Sequence, residues 1–240
     1  MYSTSNRMLI GFILMMSLWL GTSALAQEGH NHTSTGEARP ELEQPPTIAL
    51  DVEASHAIGA VYEAYPSPQQ EGGEEEDTPR FIPDDFRSTA PSTLREERTG
   101  RGHAVLEFAN DLSRAYIHFQ VKNINPDEVV MLHLHCGRPG QLGPIIVDFS
   151  LMGDVQAYLA DGVMSLEITN ADLEAVVANS KGLIGAFTGG CPIISTLPQD
   201  KAVTIGGMKY IAEQGELYIN LHTSGQVYFG DIRGAFNRVR

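Results

Sequence analysis

His133 and His135 flank Leu134, and alternation along an extended chain puts both imidazoles on one face. A His-x-His pair on a strand offers two nitrogen ligands to copper or zinc. His222 joins them by phase. Leu217, Ile219 and Leu221 form an apolar set, so His222 takes the opposite face of its segment. The same test sets His118 against Ile117 and Phe119, and His103 against Ala104 and Leu106. The candidate metal ligands are therefore His133, His135 and His222, with His103 or His118 as candidate fourth. The ion expected on neutral imidazoles is copper, ahead of zinc.

Cys136 follows the pair directly and, by alternation, points to the apolar side. The chain has two cysteines, too few for a disulfide scaffold or a four-thiolate zinc site. In an exported chain Cys136 and Cys191 are expected to pair. Closing so long a loop contributes about 4 kcal/mol in the chain-entropy model. The rival assignment adds the Cys136 thiolate to the metal site. His30 and His32 read as solvated tail. No P-loop, dinucleotide fingerprint, His-Glu-x-x-His or nucleophile elbow is present.

The elements that must position these residues read as strands. Ala104, Leu106 and Phe108 share one phase, and Ala115, Ile117, Phe119 and Val121 another, with Asn110-Asp111 as the turn. Val130, Leu132 and Leu134 oppose Met131, His133 and His135. Pro139-Gly140 and Gly143-Pro144 break the chain before a strand at 145–149. Two helical insertions are expected, at 171–179 behind a Thr169 or Asn170 cap and at 204–214. Short strands with Gly/Pro turns predict an all-β sandwich or barrel.

Charge divides the chain. The total is 16 Lys+Arg against 30 Asp+Glu, a formal net charge of −14, which excludes a nucleic-acid partner for want of a basic surface. Residues 1–26 carry one charge, Arg7, then an apolar run from Met8 to Leu20 and the small-x-small site Ala24-Leu25-Ala26, the layout of a secretory signal peptide. The expected destination is secretion or the periplasm and cell envelope, with no transmembrane anchor after cleavage. Residues 27–100 hold most of the acid, seven prolines among Pro45–Pro91 and the run Glu71-Gly-Gly-Glu-Glu-Glu-Asp77, and read as a mostly disordered leader. Within it, only 47–65 is apolar enough to be ordered. The folded domain is expected over 101–240.

The stretch Leu132-His-Leu-His-Cys-Gly-Arg-Pro-Gly-Gln-Leu-Gly-Pro-Ile-Ile-Val147 resembles the signature of the CHRD domain, first named in chordin. Gly215-Glu-Leu-Tyr-Ile-Asn-Leu-His-Thr223 and Gly230-Asp-Ile-Arg-Gly234 resemble the second signature, with Asp231 in place of the usual Glu. The resemblance covers about residues 100–237 and implies a compact Greek-key β-sandwich or barrel, superoxide-dismutase-like or immunoglobulin-like, without one established activity. A looser similarity is to copper-zinc superoxide dismutase, where His133, His135 and His222 would match copper ligands and Arg233 a substrate-guiding arginine. Three readings follow. The first is an exported binding module with a surface histidine site for a metal such as copper, and with an extracellular or envelope protein as partner. The second is a copper-dependent oxidoreductase of superoxide-dismutase type. The third is a structural or adhesion domain without metal. Arg233 is expected to be structural, bracing Asp231 or an inter-strand carboxylate.

Overall fold

A computed structural model describes residues 58–179, 191 and 203–239. The expected signal peptide, residues 27–57 and the His30/His32 pair lie outside the described residues. Strands β1 (Ile58–Ala64), β2 (Arg101–Ala109), β3 (Arg114–Lys122), β6 (Val163–Thr169) and β9 (Asn237–Arg238) make one antiparallel sheet, in the order β6-β3-β2-β1-β9. Strands β4 (Val129–Cys136), β5 (Ile145–Asp148), β7 (Leu217–Thr223) and β8 (Ile232–Ala235) make the other, in the order β5-β4-β7-β8. Along β3, β4, β5 and β6 the chain crosses between sheets and returns, so that the fourth strand lies beside the first. That is a Greek-key connection. The order differs from the immunoglobulin arrangement, whose strands A, B, E and D share a sheet.

The alternation has a direct cause. Leu106, Phe108, Ile117 and Phe119 of the first sheet, and Leu132, Leu134, Ile219 and Leu221 of the second, are fully buried in one core. Burying such side chains supplies roughly 1.5–3 kcal/mol each. Helices α1 (Val155–Tyr158), α2 (Asn170–Asn179) and α3 (Ile205–Glu213) pack Val155, Leu173 and Met208 into the same core. Thr204 caps α3 by accepting from Gly207 N at 2.9 Å. No helix among the described residues is long and apolar enough to cross a membrane.

Two expectations need correction. The phase expected of Val130 fails, because β4 and β7 change register between Val129 and Met131. Two steps on β4 there oppose one on β7, so Val129 is buried and Val130 exposed. The second correction is larger. Strand β1 falls in the 47–65 stretch singled out as apolar enough to be ordered, but residues 66–100 are not a disordered leader either. β1 lies between β2 and β9, and residues 65–100 form a strap laid along the second sheet.

The strap is fastened by hydrogen bonds that composition alone hides. Ser67 bridges Arg233 of β8 through the backbone. The Glu75 carboxylate accepts from Tyr228 N at 3.0 Å, Phe229 N at 3.4 Å and Ser88 Oγ at 2.7 Å. Arg98 donates to Gly230 O and Asp231 O, each at 3.0 Å, and pairs with Glu74 at 3.3 Å. Gln226 Nε2 donates to Thr93 O at 2.8 Å. Apart from Ser67–Arg233 and the strap's own Glu75–Ser88 and Arg98–Glu74 pairs, these contacts converge on the 224–231 loop between β7 and β8. Replacing Glu75 with alanine strips buried N–H groups of a charged acceptor and is expected to cost about 2 kcal/mol. The urea midpoint measures it, and a loss below about 0.5 kcal/mol would show that the strap docks without this carboxylate.

Candidate metal centre

The β4–β7 register assembles the site. On the face turned away from the core, His133 lies opposite Asn220, His135 opposite Tyr218 and Met131 opposite His222. β5 adds Asp148 opposite His133, and β8 adds Arg233 opposite Asn220. A sheet face with this composition would ordinarily meet water. Here the strap covers it, and His133, His135 and His222 are 3%, 7% and 4% exposed. The expected surface site is thus a buried one, for the same reason that the leader is not disordered.

The three imidazoles meet. One ring nitrogen from each lies within 4.8 Å of the other two. Hydrogen bonds fix which nitrogen is free. His135 Nδ1 donates to Gly143 O at 2.9 Å, and His222 Nδ1 donates to Val227 O at 2.8 Å. Each ring then carries its lone pair on Nε2, and neither Nε2 has a hydrogen-bond partner. His133 is turned the other way. Its Nε2 faces Asp148 Oδ1 at 3.6 Å, and its Nδ1 is the unpartnered atom. Three atoms no more than 4.8 Å apart share a point at most about 2.8 Å from each. Metal–imidazole bonds run near 2.0–2.1 Å, so closing to that length takes movements below about 1 Å. The residues present fit a metal ion.

Electrostatics favour the same use. Burial, then the neighbouring His133 and His222, pushes the His135 pKa well below its ordinary value. Burial, then His133, pushes His222 down to about 3. Both rings are held neutral, as metal ligation requires. Burial alone would raise the Asp148 carboxyl, but His133 and the Ser150 hydrogen bonds outweigh it and hold the pKa below the usual range.

Support behind the ligands comes from Tyr218 and Arg233. The Tyr218 ring stacks on His135 with centroids 4.9 Å apart and planes 4° from parallel, and Arg233 lies 3.5 Å over the same ring. Tyr218 Oη accepts from Gly143 N at 3.1 Å, and Arg233 donates to Gln141 O and Arg138 O at 2.8 Å. The loop that holds His135 is thereby held itself. A Cβ at position 143 would collide with the Cys136 carbonyl, so glycine is required there. Arg233 spends its donors on this loop and not on Asp231, which instead faces Arg98 at 3.9 Å.

The other expected ligands do not join. His103 and His118 sit on β2 and β3 of the opposite sheet. His103 stacks on Tyr65 at 4.8 Å, and His118 Nδ1 meets Ser165 Oγ at 2.8 Å. Cys136 is bonded to Cys191 and packs in the core, which removes its thiolate from the metal site. Sequence reasoning missed Asp148, which was legible as the polar end of Ile145-Ile-Val-Asp148. It also missed Glu71, whose buried carboxyl has no hydrogen-bond partner, and which desolvation, partly offset by Arg233 and Arg98, keeps well above the usual carboxylate pKa.

The CHRD domain model matches residues 88–236 of the chain. No curated protein and no solved structure matches it.

The buried rings bind protons less readily folded than unfolded. Between the unfolded histidine value near 6.5 and the lowered folded values, the unfolded state holds more protons, so acid favours unfolding. Stability is complete above pH 6.5 and falls as pH drops, by about 1.4 kcal/mol per pH unit for each histidine. Urea unfolding of the metal-free chain at pH 7, 6 and 5, compared with a His135→Gln/His222→Gln variant, isolates the slope. Identical slopes in the two proteins would refute the assignment.

Proposed function

The chain belongs to the CHRD domain family, and on that membership and its histidine trio we propose an exported binding module. It holds a transition-metal ion on His133 Nδ1, His135 Nε2 and His222 Nε2. The observation that carries the reading is three buried imidazoles with ring nitrogens within 4.8 Å of one another, each ring also keeping one nitrogen without a hydrogen-bond partner. A buried polar atom left unsatisfied costs about 1–3 kcal/mol. Three rings so grouped are explained by an ion that satisfies them all. An all-imidazole set suits copper and zinc, and the intrinsic affinity order favours copper. Such an ion would supply Lewis acidity and, as copper, one-electron chemistry. The Cys136–Cys191 disulfide supports an exported setting. The domain's binding character supports an extracellular or envelope partner.

The superoxide-dismutase reading draws less support. Arg233 is 2% exposed and spends its donors on loop carbonyls, so it does not guide an anion. Among the described residues, no lysine or arginine lines the pocket at the trio.

Calorimetric titration of the intact chain with Cu(II) and with Zn(II) tests metal binding. Wild type is expected to take one ion per chain at this site. His135→Ala and His222→Ala each lose about 100-fold or more in affinity, and Asp148→Asn about 10-fold through the orientation of His133. Wild-type affinity in both alanine variants would overturn the reading.

A further inference from the structure

The trio opens on a pocket of about 180 Å³ whose walls are mostly apolar. Ile82 and Phe86 come from the strap, Met131 and Ile145 from the sheet, Leu142 from the signature loop and Val227 from the β7–β8 loop. Phe86, Met131, Leu142 and Ile145 are only half-buried and form its rim, whereas the histidines lie at the inner end. Water alone does not call for such walls. An apolar cavity of about 150 Å³ lined by aliphatic and aromatic side chains is enough for one benzene ring. A ring also suits the surroundings, since Phe86, Tyr228 and the histidines place aromatic side chains around the space.

Charge narrows the ligand further. Asp148 is the one charged residue among those lining the pocket. Its carboxylate accepts from Ser150 N at 2.9 Å and Ser150 Oγ at 2.5 Å, and among the described residues no lysine or arginine lines the same space. In the metal-free pocket an anionic ligand would meet that charge without a compensating cation, whereas a neutral ring carries no charge to oppose it. Few polar groups converge on the pocket, and those that do lie at the histidine end, which fits a ligand with one polar substituent and an apolar remainder.

We propose that this pocket binds a single uncharged aromatic ring bearing one hydroxyl, a phenol-type ligand, with the ring between strap and sheet and the hydroxyl toward the histidine trio. The inference deepens the metal-binding reading, because the hydroxyl gains most when an ion occupies the trio. The ring's place in the apolar pocket is separable from that ion.

The test uses the intact chain, metal-free and zinc-loaded, with fluorobenzene, 4-fluorophenol and cyclohexanol as probes followed by NMR. Intermolecular NOEs are expected from the fluorobenzene and fluorophenol rings to the methyl groups of Ile82, Met131, Leu142 and Ile145 in both forms. Zinc is expected to tighten 4-fluorophenol about 10-fold or more while leaving fluorobenzene unchanged, since only the phenol has a donor to satisfy. Leu142→Trp and Ile82→Trp, each filling the pocket, abolish the contacts. The NOEs in wild type stand even where a variant fails to fold. Absence of ring NOEs to these methyls in both forms would overturn the proposal, as would cyclohexanol binding equal to that of 4-fluorophenol. Failure of zinc to bind would overturn the metal reading alone, and the fluorobenzene NOEs of the metal-free chain would still decide the ring.

Discussion

Keeping three imidazoles out of water, side by side, is the constraint on which this architecture turns. A histidine on the outer face of a half-buried sheet would be hydrated and titrate near its ordinary value. Desolvation drives His222 and His135 far below it, and the strap residues Ile82, Pro83 and Phe86, with the loops carrying Leu142 and Val227, close over that face. The core dictates only that His133, His135 and His222 share the face turned away from Leu132, Leu134 and Leu221. The second layer, residues 65–100, turns that face into an interior.

That layer and the ligands are tied through one loop. The carboxylate of Glu75 holds Tyr228 N and Phe229 N, while Val227 O in the same loop orients His222. Arg98 grips the next two carbonyls at Gly230 and Asp231. Docking the strap therefore both excludes water from the site and fixes the tautomer of a ligand. The signature loop does the equivalent for His135 through Gly143 O, and Arg233 steadies that loop from β8. Each side of the trio thus has its own brace, and the strap reaches both, because Ser67 pairs with Arg233 through the backbone.

Much of this was legible. Strand phase put His133, His135 and His222 on the non-core face and Cys136 toward the core, because alternation reports burial directly, and helical spacing anticipated α2 and α3. It failed where burial comes from chain far away in sequence. Glu71 and Glu75 sit in a run of acids that composition assigns to solvent, yet they are 4% and 8% exposed. Nothing in that run signals that Glu75 will find the N–H groups of Tyr228 and Phe229, some 150 residues on. Phase also admitted His103 and His118, since an outward direction is the same on either sheet. Only pairing order shows that they belong to the other one.

The trio's asymmetry follows from the same geometry. His133 and His135 lie two residues apart on one strand, so identical rotamers and tautomers would leave both rings aimed in parallel rather than at a common point. The rings instead stand 80° apart, one presenting Nδ1 and the other Nε2. Different hydrogen-bond partners enforce the difference. His133 Nε2 faces a carboxylate on β5, whereas His135 Nδ1 meets a backbone carbonyl in the loop just before it. β5 has to pair with β4, and the intervening loop has to fold back over Cys136, for both partners to arrive. A His-x-His triplet on a strand supplies two imidazoles. Convergence on one point comes from the turn that follows it, which is why the glycines and prolines of that turn matter as much to the site as the histidines.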